Sequence, residues 1–426
     1  MTGIANREIE ELSARKRVAA VVAGSAGNLI EWYDFYVYAF TSLYFAAAFF
    51  PAGDRTAQLL NVAAIYAAGF LIRPIGGWYF GRFSDRRGRR LGMVISVLMM
   101  GAGSLMIAAL PTYAQVGAIA PFLLLLARLL QGFSTGGQYG AAATYLSEIS
   151  KSRRRGFIAS FQFVTLIGGQ LCALLVLVGL QQLVGEDAIR AWAWRVPFVI
   201  GAILAMTVLI FSRHMHETSD VKAVDAGTFR ALKAHPQSVL IVVALSASGA
   251  ICLYTFTTYM QKFLVNTAGM SAAKASGVMT GAVVVFMLLQ PLIGRLSDVI
   301  GRRTCLLLFS GLMTLGAVPL LSALAHVSTS GGAFLLVVSA LLILSFYTSV
   351  SGLFKAELFP SHVRALGVGF AHSVAAAVFG GTAEYVALLC KQWGFESAFY
   401  WYVSAAAGVA FVVALLMPEP SRAGKL

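Results

Sequence analysis

The sequence predicts an all-α membrane protein with twelve transmembrane helices, arranged as two six-helix bundles related by pseudo-symmetry. The first observation is composition, because 58% of the 426 residues are hydrophobic and only 12% are charged, whereas soluble domains are about 25% charged. A chain this apolar needs lipid, which solvates the outer face of a helical bundle. The other two observations are a series of long apolar runs and a loop motif that occurs twice.

Twelve apolar runs are each long enough to cross a bilayer, which takes about 20 helical residues. They cover residues 18–48, 57–80, 91–110, 119–147, 157–183, 194–212, 238–261, 275–294, 304–325, 332–358, 365–390 and 395–417. Several are longer than the minimum, which is typical of tilted helices. We expect no cleavable signal peptide, because residues 1–17 are polar and the first run contains carboxylates.

The basic residues predict the orientation. With the N-terminus inside, 23 of the 32 lysines and arginines fall in inner segments and 3 fall within spans. The 6 in outer segments are Arg55, Arg190, Arg195, Lys262, Lys274 and Lys391. This inner excess places both termini in the cytoplasm. Because residues 213–237 are the one long polar inner segment, we predict an N-terminal bundle at 1–212, a cytoplasmic linker at 213–237 and a C-terminal bundle at 238–426.

The two halves repeat a short motif at matching places. Residues 81–90 read GRFSDRRGRR, residues 294–303 read GRLSDVIGRR, and each half has a glutamate followed seven residues later by an arginine. Internal repeats mark transporters whose two bundles rock about a central site. We predict a gate in which motif arginines meet the glutamates when the inner side is closed. Its residues are Gly81, Asp85, Gly88, Arg89, Glu148, Arg155, Asp298, Gly301, Arg302, Glu357 and Arg364.

Two carboxylates lie inside the first span. Glu31 and Asp34 are three residues apart, so they share one face of a helix, and Tyr38 falls near that face. An ionisable group at bilayer depth costs about 2.5–3.5 kcal/mol on insertion scales and by default marks an ion or proton pathway. We predict that this helix faces a water-filled cavity, with Glu31 and Asp34 as proton-coupling candidates and Tyr38 as a substrate-binding candidate.

Three cations also lie at membrane depth: Arg73, Arg128 and Lys355. Arginine holds a carboxylate through two parallel hydrogen bonds, and lysine offers a point charge. A structural carboxylate could neutralise any one of them, for example Asp34 beside Arg73, but three cations from both halves favour an anionic ligand. In the eleventh span, His372 and Glu384 could titrate with proton transfer or form a polar contact between helices.

Several function classes lack support. The chain has no GxxxxGK[ST] loop for ATP-driven transport and no HExxH or GxSxG motif, so we predict that it is not an enzyme. We expect no disulfide, no metal site and no cofactor, since the four cysteines lie in apolar runs without a CxxC pair. The net charge of +14 belongs to short loops, so we expect a lipid bilayer and no nucleic acid as surroundings, and function as a monomer.

The repeated loop motif resembles the signature of the major facilitator superfamily. NLIEWYDFY from Asn28, RPIGG from Arg73 and RLLQG from Arg128 resemble its metabolite:proton symporter family. More specific likeness lies in residues 254–270, 355–360, 364–369 and 379–388, and the resemblance runs from about residue 18 to 417. Where that family commonly has glutamate in GGEY, this sequence has Gln138, which cannot load a proton.

The resemblance implies proton-coupled uptake of a dicarboxylate by alternating access, in a bacterial inner membrane. It adds weight to Arg73, Arg128 and Lys355 as anion ligands and to Asp34 as the coupling carboxylate. The favoured substrate is α-ketoglutarate or a close dicarboxylate.

Other substrates and other functions are also compatible with the sequence. The substrate could be shikimate, citrate, or a zwitterion such as proline or betaine, although zwitterion carriers of this family have a long helical C-terminal tail and nine residues follow Met417 here. An efflux antiporter would favour a more apolar pocket with fewer internal cations. A non-transporting sensor would normally carry an appended signalling domain.

Overall fold

The structure is a computed structural model that describes residues 14–87, 89–135, 155–212, 232–360 and 363–420. Side chains are described for the same residues except 14–27, 81–82, 84–90, 92–93, 208–212 and 365. Throughout this part of the chain the regular secondary structure is helical. The helices of the first half of the sequence are α1 Ala14–Phe49, α2 Arg55–Leu71, α3 Arg73–Arg87, α4 Arg89–Ala109, α5 Tyr113–Val116, α6 Ile119–Thr135, α7 Arg155–Leu183, α8 Gly185–Ala191 and α9 Val196–Ser212. Those of the second half are α10 Pro236–Tyr254, α11 Met260–Asn266, α12 Ala272–Ile300, α13 Arg302–Ala325, α14 Ser330–Thr348, α15 Ser351–Glu357, α16 Arg364–Ala375, α17 Ala383–Gln392 and α18 Glu396–Leu416.

Eight helical segments of the described chain are long and apolar enough to cross a membrane. They are Arg55–Phe80, Arg155–Leu183, Pro236–Asn266, Ala272–Ile300, Arg302–Ala325, Ser330–Glu357, Leu366–Gln392 and Glu396–Leu416. A further segment joins α8 to Ala193–Thr207 with a bend of 76°. Helices α4 and α6 carry shorter apolar stretches, and α1 extends over 36 residues. Each of the twelve predicted runs overlaps one of these helices.

Helix α1 lies inside the bundle. Every residue from 30 to 46 is buried, because α1 packs against α2, α7 and α9. Glu31 and Asp34 are 7% and 3% exposed. Both carboxylates of the first span therefore lie within the protein and not against lipid.

The most extensive contact between the two halves of the sequence joins α7 to α12. It is closest at two glycines: a methyl group on Gly156 would lie 2.4 Å from the Gly294 carbonyl oxygen, and one on Gly294 would lie 2.6 Å from the Gly156 carbonyl oxygen. Small residues allow such close approach between membrane helices. Nearby, Gly301 turns the chain from α12 into α13 with φ +90°, a conformation that favours glycine.

Two helices of the second half contain a π-helical turn. Thr255–Tyr259 links α10 to α11, and Ala376–Gly380 links α16 to α17. Such turns interrupt the regular α-helical ladder and are frequent at functional sites. Both turns contact the first half of the sequence, the former against α1 and the latter against α2.

The sequence prediction placed Lys262 in an outer segment, and this is wrong. The helix that begins at Pro236 continues through its π-helical turn to Asn266, so Lys262 lies on α11 and is 1% exposed. The apolar run was ended too early at residue 261, because the next residue, Lys262, is charged. The Gln261 amide nitrogen donates to Ser276 and the Lys262 ammonium to Glu384, so both bond inside the protein and not to water outside it.

Candidate functional site

A small cavity lies among α1, α2, α3, α4 and α6. Four ionisable residues line it: Glu31, Asp34, Arg73 and Arg128. Its volume is about 10 Å³, which is room for about one water molecule. The four ionisable residues of the first half that were predicted to bind substrate or carry protons therefore converge on one place, but the space between them is too small for a metabolite in this conformation.

Asp34 is held by neutral hydrogen-bond donors. The Gln131 amide donates to Asp34 Oδ2 at 2.8 Å and the Ser104 hydroxyl donates to Asp34 Oδ1. The same amide lies 2.7 Å from Ser104 Oγ, so the three side chains form one network. Gly201 of α9 leaves room for the carboxylate, since a methyl group there would lie 2.5 Å from Asp34 Oδ1.

Arg128 lies between this network and a pair of tyrosines. Its Nη1 donates to Gln131 Oε1 at 2.7 Å, and its guanidinium carbon lies 4.3 Å from the ring centre of Tyr38 and 5.3 Å from that of Tyr66. Cations are attracted to such ring faces. The Tyr38 hydroxyl donates to the Val62 carbonyl at 3.1 Å, so Tyr38 presents its ring to Arg128 and uses its hydroxyl elsewhere.

Arg73 lies at the start of α3 and is surrounded by aromatic rings. Its guanidinium carbon is 3.9 Å from the ring centre of Phe70 and 4.4 Å from that of Phe35. It also interacts with the hydroxyl of Tyr254 from the second half. The alternative in which Asp34 neutralises Arg73 is not what the structure shows, because no ion pair between described residues includes Arg73 or Arg128.

Glu31 is the second carboxylate of the cavity. Its Oε2 is buried without a hydrogen-bond partner, and the charge of Arg73 acts on it. Arg73 Nε and Arg128 Nε are also buried without a partner. Buried polar groups are normally hydrogen-bonded, so these three charged atoms leave the cavity able to accept a further partner.

Lys355 and His372 form a second polar cluster on α15 and α16. Lys355 Nζ donates to Ser351 Oγ at 2.8 Å and lies 3.1 Å from His372 Nδ1. The ammonium also lies 5.6 Å from the ring centre of Tyr347. Both Lys355 and Arg73 act electrostatically on His372, and α16 packs against α3, which begins at Arg73.

Glu384 belongs to a third arrangement that sequence reasoning missed. Lys262 Nζ lies 2.5 Å from Glu384 Oε1, and the two side chains are 2% and 3% exposed. Glu384 and His372 share a predicted span but have different partners. The sequence signal for the pair is weak: Glu384 lies within one predicted run and Lys262 lies one residue past the end of another, and nothing in their spacing of 122 residues relates one to the other.

The repeated motif forms a contact between α12 and α7. Asp298 accepts hydrogen bonds from the backbone N–H groups of Gly156 at 2.8 Å and Phe157 at 3.2 Å, so it caps the first turn of α7. Arg302 donates to Asp298 at 3.0 Å and lies 3.8 Å from Glu357. We call the end of the bundle that contains these residues the motif end.

Two more predicted gate residues lie near the motif end. Arg155, the first residue of α7, acts electrostatically on Glu357. Arg364 donates to the backbone carbonyls of Ala356 and Phe359 at 3.1 and 3.4 Å. The side chains of Gly81, Asp85 and Arg89, and all of Gly88, Glu148 and Gln138, lie outside the described residues.

The two halves of the sequence also meet at the opposite end, which we call the far end. The Asn266 amide lies 3.4 Å from Thr56 Oγ1. The Gln181 amide donates to Tyr44 at 2.6 Å and to Ser276 at 3.0 Å. Contacts between the halves therefore exist on both sides of the cavity.

The family model described as "Sugar (and other) transporter" matches residues 19–220 and 212–421. The chain is 55% identical to the alpha-ketoglutarate permease of Escherichia coli (strain K12), over 100% of this chain and 99% of that protein. It is 34% identical to the citrate-proton symporter of Klebsiella pneumoniae, over 86% of this chain and 83% of that protein. The chain belongs to the metabolite:proton symporter family of the major facilitator superfamily.

Solved structures of this superfamily share the fold of this transporter. The xylose transporter XylE of E. coli, in a partially occluded inward-open conformation, matches with a TM-score of 0.76 at 18% identity, covering 94% of this chain and 98% of that one. A D-xylose-proton symporter matches with a TM-score of 0.73 at 19% identity, covering 96% and 99%. At this identity the likeness concerns the fold alone, and it confirms the predicted twelve-helix fold class. Family membership confirms a membrane transporter and not an enzyme.

Proposed function

We propose that this protein imports α-ketoglutarate, or a closely related dicarboxylate, together with protons across a bacterial inner membrane. Both termini would lie in the cytoplasm, which the bias of basic residues towards inner segments favours, and the transporter would work as a monomer. The halves at 1–212 and 238–426 would rock about the cavity, with 213–237 as their linker.

The observation that carries the proposal is that Arg73 and Arg128 line one cavity without an ion-pair partner among the described residues. Arg73 and Arg128 each keep an unsatisfied Nε, while their planar faces rest on aromatic rings. Arginine forks match the geometry of carboxylates. A substrate carboxylate would supply the missing partners, so the cavity suits a substrate with a carboxylate better than a sugar.

Substrate binding requires the cavity to widen. A space for about one water molecule does not hold a five-carbon dicarboxylate, so the halves must separate at the motif end or at the far end. When the halves close around a substrate, Lys355 and His372 would approach it from the second half, since Arg73 acts electrostatically on His372 and Lys355 lies 3.1 Å from His372. Lys355 would then be the third cationic ligand, and the ring of Tyr38 would orient Arg128.

Asp34 is the favoured proton carrier. It is buried, it has no cation within ion-pair distance among the described residues, and Gln131 connects it to Arg128. A proton on Asp34 would change the hydrogen bonds that Gln131 makes, and therefore the position of Arg128. Glu31, which lines the same cavity, and His372 and Glu384, which do not, are further candidates.

The motif end would act as the inner gate. Asp298 and the N–H groups of α7 hold the two halves together there, and Arg302 connects Asp298 with Glu357. Opening this end would break the two capping bonds and leave Arg302 and Glu357 in water. The remaining predicted gate residues, from Gly81 to Glu148, would form the equivalent contact in the first half.

Uptake by purified protein in proteoliposomes tests this function. With an inward proton gradient we expect accumulation of labelled α-ketoglutarate, abolished by a protonophore. A panel of unlabelled citrate, shikimate, proline and betaine should compete weakly. Strong competition by one of these compounds would reassign the substrate, and efflux stimulated by an inward proton gradient would identify an antiporter.

A further inference from the structure

The buried pair of Lys262 and Glu384 has an unusual environment. The ammonium and the carboxylate are 2.5 Å apart and 2–3% exposed, yet Glu384 Oε2 is buried without a hydrogen-bond partner. Taking two charges out of water is favourable only if their remaining lone pairs and protons are also satisfied. A carboxylate with one satisfied oxygen is therefore a poor permanent partner for Lys262, and a second carboxylate could replace it.

Both residues follow a π-helical turn, and each turn contacts a helix that lines the cavity. Lys262 lies just after Thr255–Tyr259, and Glu384 lies just after Ala376–Gly380. The two turns meet at Tyr254, because a methyl group on Gly380 would lie 2.6 Å from the Tyr254 ring, and Tyr254 interacts with Arg73. A movement of Arg73 would therefore be passed through Tyr254 and the two turns to α11 and α17, the helices that carry Lys262 and Glu384.

Two stacked tyrosines connect Glu384 with Arg128. The rings of Tyr38 and Tyr66 lie 5.9 Å apart with an interplanar angle of 18°. Arg128 packs against both rings, and the charge of Glu384 acts on both hydroxyls. The Tyr66 hydroxyl is buried without a partner. The pair is therefore separated from Arg128 by one aromatic layer that contains an unused hydrogen-bond donor.

We propose that Lys262 binds one carboxylate of the transported dicarboxylate, and that Glu384 holds this position as an internal competitor until it is protonated. The inference rests on the proposed function. A proton from water bonds to a carboxylate oxygen of Glu384 and makes it neutral. The Lys262 ammonium keeps its three protons and exchanges Glu384 for the substrate carboxylate, while Arg73 and Arg128 hold the other carboxylate. Loss of the proton restores the pair and expels the substrate.

In this exchange Glu384 takes up a proton, and its charged and titratable neighbours determine when it does so. Those that face it from the packed helices are Lys262 of α11, Tyr259 of the first π-helical turn, Tyr38 of α1 and Tyr66 of α2. Lys391 and Glu396, on α17 and α18, pair with each other at 3.1 Å. Tyr254 of α10 interacts with Arg73. Lys262 is thus the cation that Glu384 holds.

Binding to purified full-length protein in nanodiscs tests this exchange. The probes are α-ketoglutarate and 2-oxobutyrate, which lacks the second carboxylate, each titrated at pH 6 and pH 8. We expect Glu384→Gln to bind α-ketoglutarate about tenfold more tightly than wild type at pH 8, the effect of one hydrogen bond to a charged group. Binding of 2-oxobutyrate should change less than about twofold. The double variant Lys262→Gln/Glu384→Gln should lose the gain.

The controls separate this exchange from its alternatives. The double variant Lys391→Gln/Glu396→Gln neutralises a neighbouring pair and should bind both probes as wild type does. An unchanged affinity in Glu384→Gln, or a gain that persists when Lys262 is also replaced, would overturn the role of Lys262. If Glu384→Gln does not fold, the double variant Lys262→Gln/Glu384→Gln, which keeps the net charge of wild type, still tests the proposal. If this double variant prefers α-ketoglutarate over 2-oxobutyrate as strongly as wild type does, the proposal is contradicted. Failure of wild type to bind α-ketoglutarate would instead refute the proposed function.

Discussion

Asp34 and Arg128 do not touch; the amide of Gln131 joins them, with its oxygen 2.7 Å from Arg128 Nη1 and its nitrogen 2.8 Å from Asp34 Oδ2. An amide is the neutral group that can bond to both an anion and a cation at once. It keeps the guanidinium from forming a direct ion pair with the carboxylate. The positive charge of Arg128 is therefore not neutralised by a direct ion pair, although it still acts electrostatically on Asp34.

Replacing Gln131 with glutamate tests this separation. A carboxylate at this position would keep the contact with Arg128 but neutralise its charge, and it would face Asp34 without a donor. We expect Gln131→Glu to weaken α-ketoglutarate binding by about ten- to a hundredfold, because bonds between charged groups contribute about 1.5–3 kcal/mol. Isothermal titration with purified protein measures this. Gln392→Glu, the same change at an exposed site on α17, should bind normally, and normal binding by Gln131→Glu would show that Arg128 needs no free charge.

Arg73 provides the second cationic face of the cavity. Arg73→Ala removes the guanidinium that packs on Phe35 and Phe70, and we expect loss of dicarboxylate binding by about a hundredfold or more while the protein still inserts into the membrane. Arg190→Ala is the control, since Arg190 forms a surface pair with Glu186. Unaltered binding in Arg73→Ala would remove this residue from the site.

Closure at the motif end depends on the glycines that bring α7 against α12. Gly156→Ala would place a methyl group 2.4 Å from the Gly294 carbonyl oxygen, and overpacking of this kind costs about 1–3 kcal/mol. We expect transport to fall about tenfold or more, with equilibrium binding within about twofold of wild type. Gly277→Ala, on α12 where a methyl group meets nothing within 4 Å, is the matched control. Equal transport by both variants would mean that this contact does not close the transporter.

The cap that Asp298 provides makes a separate contribution to the same closure. Removing a helix N-cap costs about 1 kcal/mol, so Asp298→Ala should raise exposure of the α7–α12 contact about fivefold. The probe is Ser160→Cys in a background without the four native cysteines, labelled with N-ethylmaleimide. Asp187→Ala, an exposed aspartate on α8, should leave the labelling rate unchanged. An unchanged rate in Asp298→Ala would assign the closure to packing alone.

Much of the fold could be predicted because lipid imposes simple rules. Apolar length gave the position of each span, and each predicted run overlaps a helix. The boundary at residue 261 was wrong because hydropathy alone assigns a lysine at the end of an apolar run to a loop. In the structure Lys262 forms a buried ion pair with Glu384, so the helix extends past it. Helix periodicity likewise does not indicate the two π-helical turns, which depend on packing at Tyr254 and Gly380.

The candidate site could be predicted in part. Glu31, Asp34, Arg73 and Arg128 stood out since charges are expensive at bilayer depth, and the structure gathers them around one cavity. Gln131 and Ser104 did not stand out, because neutral polar residues are common in helices and their role appears only when α1, α4 and α6 are packed together. Lys355 and His372 could be singled out but not joined, as their contact depends on how α15 and α16 meet.

Gradient-driven uptake by Asp34→Asn tests the central claim most directly. This variant keeps the size of the side chain but cannot carry a proton. In proteoliposomes, we expect it to exchange labelled for unlabelled α-ketoglutarate but not to accumulate it when an inward proton gradient is imposed, whereas wild type does both. Accumulation by Asp34→Asn as large as that of wild type would contradict the claim that proton and dicarboxylate are coupled through the cavity between Asp34 and Arg128.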